Sequence, residues 1–96
     1  MTIKLIRMSS GEDVVATVLE DETDSIKIKD PIVIVPTGNN QLGFAPWSPV
    51  LDREVESITI SKRFIVFMSE PNEPCSENYK AMFFNLVTPP EKKLIL

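Results

Sequence analysis

The clearest β pattern in the chain is SIKIKDPIVIVP, which occupies residues 25–36. Its first five residues, 25–29, alternate between polar and apolar, as in an antiparallel strand with one buried face. Pro31 interrupts this alternation, and the β-branched run 32–35 resumes the strand pattern. A proline within such a run indicates a bend, a bulge or an edge position. The stretch is therefore predicted to form one long bent strand, of the kind that turns corners in small barrels.

Shorter β patterns occur before and after it, at residues 3–8, 14–19, 42–47, 58–60 and 64–68. The first two flank Gly11, which tolerates the positive φ of a tight turn, so they predict a hairpin. The last two are separated by only Ser61, Lys62 and Arg63, which predicts another tight turn. Five consecutive apolar residues in the final strand are typical of a strand that is covered on both faces.

The periodicity changes near the C-terminus. Apolar residues recur there at helical spacing: Tyr79, Met82, Phe83, Leu86 and Val87. This stripe predicts an amphipathic helix over residues 75–88, with Ser76 as its N-cap and two prolines beyond its end. Packing against the barrel and contact with another subunit or a partner helix are alternative uses of the stripe. The tail, residues 91–96, ends in three large apolar residues, Leu94 to Leu96, and is expected to dock.

Length and composition fit one folded domain. The chain has 96 residues, of which 43% are hydrophobic and 25% are charged, a balance typical of a globular protein. Half of this length would not form a workable core, so we predict a single domain over residues 1–96 with a barrel at 3–70. The predicted fold class is mainly β: a small, strongly bent, five-stranded antiparallel barrel with one C-terminal helix.

Several function classes are disfavoured by what the sequence lacks. It has no histidine and no spacing typical of a metal site, a phosphate loop or a nucleophile elbow, so we expect no enzyme, no cofactor and no small-molecule substrate. No apolar run approaches the roughly 20 residues of a membrane span, and the N-terminus has no signal-peptide pattern. A single cysteine, Cys75, favours a reducing compartment such as the cytoplasm. The net charge of −4 opposes polyanion binding unless cations cluster locally.

The order of these elements resembles the Sm-like (LSm) family. The resemblance is carried by the hairpin around Gly11 with Asp21 after it, the bent strand 26–35 and the strand–turn–strand unit 58–67. The resemblance covers residues 3–70. Within the family, the sequence is most similar to the short Sm-like proteins of tailed phages and marine metagenomes, which implies that the protein is located in the cytoplasm of a host cell. The family implies a homo-oligomeric ring in which the last two strands pair with neighbouring subunits. The edge residues in this sequence are Ile58, Ile60, Phe64, Val66 and Met68.

Two loops of the Sm-like family contact RNA, and both are altered here. Asp21 matches the aspartate of the first motif, but Ser25 stands where the family has asparagine. In the second motif, Ser61 and Lys62 replace an Arg-Gly pair, and Arg63 follows. The resemblance implies weak binding of single-stranded RNA at the pore by Ser25, Lys62 and Arg63, and a solvated hairpin turn is the alternative. Without RNA, the ring would be a structural or adaptor protein.

Three other features each have a functional and a structural interpretation. The acidic run 20–24 could hold a hard cation such as Ca²⁺ or lie in a solvated turn. Trp47 could stack on a base or anchor a proline-rich loop to the core. Cys75 could be nucleophilic only with an activating group, and no histidine is present to supply one. The structural interpretation is favoured in each case.

Overall fold

The computed structural model describes residues 2–48, 52, 54–84 and 94–95, which form a mainly β protein with one α-helix. In chain order the elements are β1 (Thr2–Met8), β2 (Asp13–Asp21), β3 (Ser25–Gly38), β4 (Gln41–Pro46), β5 (Ile58–Ser61), a 3₁₀ helix (Lys62–Phe64), β6 (Ile65–Ser69), α1 (Glu73–Phe83) and β7 (Leu94–Ile95). The predicted antiparallel, mainly β architecture with a late helix is confirmed.

All of these strands belong to one antiparallel sheet. Its hydrogen-bonded order is β6-β1-β2-β3-β4-β7, and β5 pairs with β3 beside this path. The long strand β3 serves two partners on the side away from β2: residues 25–28 pair with β5, and residues 32–38 pair with β4. The described residues thus form seven strands. Six of them match the six β patterns of the sequence and the tail adds the seventh, so the sheet has more strands than the expected five-stranded barrel.

Hydrogen bonds do not close this sheet into a complete barrel. Within the described residues, β5 pairs only with β3 and β6 pairs only with β1. The three-residue 3₁₀ helix connects β5 to β6 without pairing them. Both strands therefore keep one edge whose backbone groups have no partner strand in the described chain.

An extra residue in β3 interrupts its regular pairing with β2. The register shifts between Val15 and Thr17, so that Ala16 stands opposite two residues of β3, Asp30 and Pro31. Asp30 has a φ of 52°, in the left-handed region that aspartate tolerates better than most L-residues. The predicted irregularity at Pro31 is therefore a β-bulge, and the left-handed residue is the one before the proline.

The bulge allows both faces of the sheet to be buried. On the inner face, the buried residues are Ile6, Met8, Val14, Ala16, Ile26 and Ile28. On the helix face, α1 packs onto the sheet, and the buried residues are Ile3, Val15, Ile32, Cys75 and Tyr79. Ile28 and Ile32 would share a face in a regular strand. They lie in opposite clusters because the extra residue reverses the alternation between them.

Helix α1 begins two residues before the predicted start at residue 75. The side chain of Asn72 accepts a hydrogen bond from the backbone N–H of Cys75 at 2.9 Å and caps the helix. Pro74 suits the first turn because it needs no N–H partner there. The predicted N-cap, Ser76, therefore lies inside the helix.

The helix ends at Phe83, and the rest of the predicted range, residues 85–88, lies outside the described residues. Of the predicted apolar stripe, Tyr79 is fully buried and Phe83 packs beside it, with ring centroids 4.8 Å apart. Met82 is half exposed. Core packing is thus the use of Tyr79 and Phe83, whereas Leu86 and Val87 are among the residues not described.

Part of the apolar tail adds a short strand to the sheet. Leu94 pairs with Leu42 and Ile95 pairs with Gln41, at the outer edge of β4. The expected docking of the tail therefore occurs through the backbone, and Leu96 lies outside the described residues. Among the helices of the described chain, none has the length and apolar character needed to cross a membrane.

Candidate functional site

Two turns meet at one end of the sheet and bring together the residues that the resemblance assigns to RNA. Ser25 at the start of β3 stands opposite Ser61 at the end of β5. The backbone N–H of Lys62 donates to the carbonyl of Asp24 at 2.9 Å. Ser25, Lys62 and Arg63 are therefore close neighbours, although they come from distant parts of the chain. We call this region the turn pair, residues 20–25 and 61–64.

Local hydrogen bonds explain the conformations of both turns. Between β2 and β3, the N–H of Glu22 donates to the carbonyl of Ser25 at 2.9 Å. At the start of the 3₁₀ helix, the hydroxyl of Ser61 accepts from the N–H of Arg63 at 3.2 Å. Serine is a favoured cap because its short side chain reaches the free N–H groups of the first turn. The predicted turn at residues 61–63 is replaced by a 3₁₀ helix at Lys62–Phe64, and the strand after it begins at Ile65 rather than at the predicted residue 64.

Ion pairs neutralise much of the positive charge in and beside the turn pair. Lys62 Nζ lies 2.5 Å from Asp21 Oδ1, and Lys27 Nζ lies 3.2 Å from Glu20 Oε2. Because these side chains are partly exposed, each ion pair contributes only about 0–1 kcal/mol to stability. Arg63 is exposed and has no ion-pair partner among the described residues. A phosphate group would therefore meet one unpaired guanidinium next to exposed carboxylates.

The five residues predicted to lie at an oligomer interface divide into two groups. Ile58, Ile60 and Met68 are partly buried and pack against the inner-face cluster of the same chain. Phe64 and Val66 are 58% and 63% exposed, respectively. Of the five predicted interface residues, only Phe64 and Val66 therefore offer large side-chain surfaces to another molecule.

Phe67 is an exposed apolar residue that the sequence analysis did not single out. It is 44% exposed, and the guanidinium of Arg7 lies 5.8 Å from its ring centroid. The register between β1 and β6 shifts after Arg7, which makes Val66 the extra residue of a second bulge. A run of apolar residues carries no sequence signal for a bulge, so the simultaneous exposure of Val66 and Phe67 could not be predicted.

The corner between β5 and β6 combines unpaired backbone with exposed apolar side chains. Both strands have an edge without a partner in the described part of the chain. Phe64 lies in the connecting 3₁₀ helix, and Val66 and Phe67 follow in β6. Such an edge is a template for the addition of another strand.

The remaining candidate residues occupy structural positions. Cys75 is 5% exposed, and burial raises the pKa of its thiol to about 11, so the nucleophilic thiolate is scarce at neutral pH. Trp47 packs against the inner-face cluster. The acidic run from Glu20 to Asp24 is exposed. In the described part of the chain, no group of three His, Cys, Asp or Glu side chains is placed to hold a metal ion.

The chain matches no protein-family model and no curated protein. The turn pair and the exposed corner between β5 and β6 are the two surface features that can carry a function here.

Proposed function

We propose that the protein is a cytoplasmic Sm-like β protein that assembles into a homo-oligomeric ring through the edges of β5 and β6. The observation that carries the proposal is the edge of β6 that no strand of the described residues covers, next to exposed Phe64, Val66 and Phe67. Monomeric β proteins usually protect an edge strand with a charge, a proline, a bulge or a short length. The sequence of β6, IVFMS, contains no charge and no proline, and the bulge at Val66 leaves Val66 and Phe67 exposed rather than covered. The free, buried thiol of Cys75 suits a reducing compartment.

The connectivity around this corner supports an Sm-like arrangement. After the 3₁₀ helix the chain returns to pair with β1, so its last barrel strand lies beside its first. Pairing the β5 edge of one copy with the β6 edge of the next would use two different surfaces of each subunit. Repetition of such a heterologous contact closes a ring when the rotation between copies permits.

The burial of the predicted interface residues indicates two different roles for them in the proposed ring. Ile58, Ile60 and Met68 pack inside their own subunit, so in the proposed ring they hold the strands in place for backbone pairing. Phe64 and Val66 would provide apolar side-chain contacts between subunits. Loss of exposed apolar area and new backbone hydrogen bonds would both stabilise the assembly.

The experiment that tests the proposal is the solution mass measured by light scattering during gel filtration. We expect the wild-type protein to have several times the 10.8 kDa mass of one chain. Val66→Lys should give monomers, because a lysine on an edge strand opposes further strand addition. Leu19→Lys is the matched control: Leu19 is also an exposed apolar residue at a bulge, but it lies in β2.

The two variants separate loss of assembly from loss of folding. Circular dichroism should show the same β signal for both variants, with monomers for Val66→Lys and oligomers for Leu19→Lys. A wild-type protein that remains monomeric at high concentration would overturn the proposal, and so would a Val66→Lys variant that keeps the full oligomeric mass.

The turn pair supports a second function, weak binding of single-stranded RNA at the pore of the ring. The specific observation is that Ser25, Lys62 and Arg63 are neighbours. A ring would repeat the exposed Arg63 once per subunit and so concentrate a positive charge that the net charge of the chain conceals. The ion pair between Lys62 and Asp21 reduces this field. A ring without RNA binding would serve as a structural or adaptor protein.

A further inference from the structure

A cavity lies where the partner of β3 changes from β4 to β5. Ile32 pairs with Pro46, and Ile28 pairs with Ile58. Between these two pairs β3 has three residues, whereas the sequence between Pro46 and Ile58 has eleven. In the described residues the ladder on this side of β3 is therefore interrupted. The cavity at this interruption has a volume of about 440 Å³, within the range of small-molecule sites.

The walls of the cavity come from both hydrophobic clusters. Ile28 and Ile58 line it from the inner face, whereas Ile32, Phe44 and Phe83 line it from the helix face. The cavity therefore lies at the bulge, where β3 changes from one cluster to the other.

Two of the lining residues are apolar and exposed to solvent. Val55 and Met82 also line the cavity and are 43% and 50% exposed, respectively. A ligand with an apolar body would cover these side chains and remove their surface from water.

The polar lining is mainly acidic. It includes the acidic residues Asp30, Asp52 and Glu56, and no lysine or arginine among the described lining residues. Asp52 accepts a hydrogen bond from the backbone N–H of Glu54 at 2.8 Å. Among the described residues, none of the three carboxylates forms an ion pair. Negative charge in an apolar cleft attracts cations, because the low-dielectric walls focus the field.

Two lysines lie at a separate pocket that adjoins the cavity. Lys27 and Lys29 line that pocket, which shares Glu56 with the cavity. Lys27 is already paired with Glu20 at 3.2 Å. The two lysines therefore reduce the acidic field on one side of Glu56 without providing a cation inside the cavity.

We propose that this cavity binds a small organic cation that has an apolar, preferably aromatic, body. The carboxylates would attract the cationic group, and the rings of Phe44 and Phe83 would contact the body or the cation itself. This site is independent of ring assembly and of the turn pair. It also departs from the expectation, drawn from the sequence, that the protein has no small-molecule partner.

The test uses benzyltrimethylammonium as the probe and benzenesulfonate and benzyl alcohol as anionic and neutral comparisons of similar size. Protein-detected NMR would follow the methyl groups of Val55, Ile58 and Met82 during titration. We expect saturable shifts of these methyls with the cation, weaker shifts with the alcohol and none with the sulfonate. Equal shifts with the anion, or no shift with the cation at millimolar concentration, would overturn the proposal.

Two charge-neutralising variants test the contribution of the acidic lining. Asp30→Asn keeps a residue that tolerates the left-handed backbone, and Glu56→Gln keeps the shape of its side chain. Each should weaken binding of benzyltrimethylammonium roughly three- to tenfold, as expected for one lost charge interaction in a partly exposed site. Glu22→Gln, an equivalent change in an exposed turn outside the cavity, should leave the affinity unchanged. An equal loss with Glu22→Gln would show that only the overall charge matters, which contradicts a site.

Discussion

At the scale of single residues, the hydroxyl of Tyr79 connects the helix to the bulge in β3. It lies 2.9 Å from the carbonyl of Asp30, 3.1 Å from that of Lys29 and 3.0 Å from the hydroxyl of Thr17. The hydroxyl of Tyr79 donates to the two carbonyls, while the hydroxyl of Thr17 can donate to the phenol oxygen. A bulge leaves backbone groups without ladder partners, and a buried carbonyl without a partner is costly. Tyr79 therefore stabilises the irregular backbone as well as the core.

Because Tyr79 and Cys75 are buried, the free energy of unfolding is expected to decrease at alkaline pH. Burial raises the pKa of Tyr79 from 10.0 to about 12 and that of Cys75 from 9.0 to about 11. Both groups are neutral when protonated, so the unfolded state releases its protons at lower pH than the folded state. The stabilisation is complete below about pH 9 and is lost as the pH rises towards 12. We therefore expect the free energy of unfolding to fall over this range.

Urea unfolding at a series of pH values checks this expectation. The double variant Cys75→Ala with Tyr79→Phe lacks both ionisable groups and should show a flatter decline above about pH 9, although it is less stable at neutral pH. The slope is the informative quantity, because lysines titrate in both proteins. Equal slopes in the two proteins would contradict the assigned burial of the phenol and the thiol.

At the scale of elements, the bulge in β3 determines how one sheet can carry two cores. The extra residue places Ile28 on the inner face and Ile32 on the helix face. The partner of β3 also changes from β5 to β4 near this irregularity, and the cavity lies beside it. A single left-handed residue, Asp30, is therefore linked to packing, topology and the proposed ligand site.

The backbone of Asp30 leads to a direct prediction. A β-branched side chain is strained at a φ of 52°, so Asp30→Val should lower the free energy of unfolding by about 1–2 kcal/mol. Asp30→Asn should be nearly neutral, because asparagine tolerates this conformation. Lys29→Val introduces the same side chain at the preceding exposed position, where φ is not positive, and serves as the control. Midpoints of urea unfolding measure all three changes, and equal stability of Asp30→Val and Asp30→Asn would contradict the bulge.

The sequence predicts the strands well because alternation and β-branched composition are local signals. Pro31 also indicates that β3 is irregular. The sequence does not show that Asp30 takes the left-handed conformation, since this depends on pairing with β2 and on the hydroxyl of Tyr79. The start of α1 is misplaced because Asn72 is as good a cap as Ser76, and Pro74 favours the earlier start.

The candidate site is less predictable because it depends on contacts between distant segments. The order of strands and turns suggests that Ser25, Lys62 and Arg63 lie together. The pairing of Lys62 with Asp21, which changes the charge available to a ligand, joins residues from two separate turns. The exposure of Val66 depends on a bulge against β1. Neither the Lys62–Asp21 ion pair nor the bulge at Val66 produces a periodic pattern in the sequence.

At the scale of the whole molecule, the balance of charge limits the proposed binding of RNA. The chain carries a net charge of −4, so the average field repels a polyanion and any binding must come from a local cluster. The turn pair provides Arg63, while Lys62 is held by Asp21. Release of Lys62 from this ion pair should therefore have more effect than a charge change elsewhere on the surface.

Binding of a single-stranded oligouridine, followed by fluorescence anisotropy at low salt, tests this argument. Asp21→Asn should tighten binding and Arg63→Ala should weaken it, each by roughly three- to tenfold, as expected when a single interaction with a phosphate group is added or removed. Glu70→Gln is the matched control, because it frees Lys4 from a similar exposed ion pair outside the turn pair. The affinity should fall as salt rises, since binding to phosphates releases counterions. If Asp21→Asn and the wild-type protein both give flat titrations, the turn pair does not bind RNA. The exposed corner of β5 and β6 would then still support a ring that acts as a structural or adaptor protein.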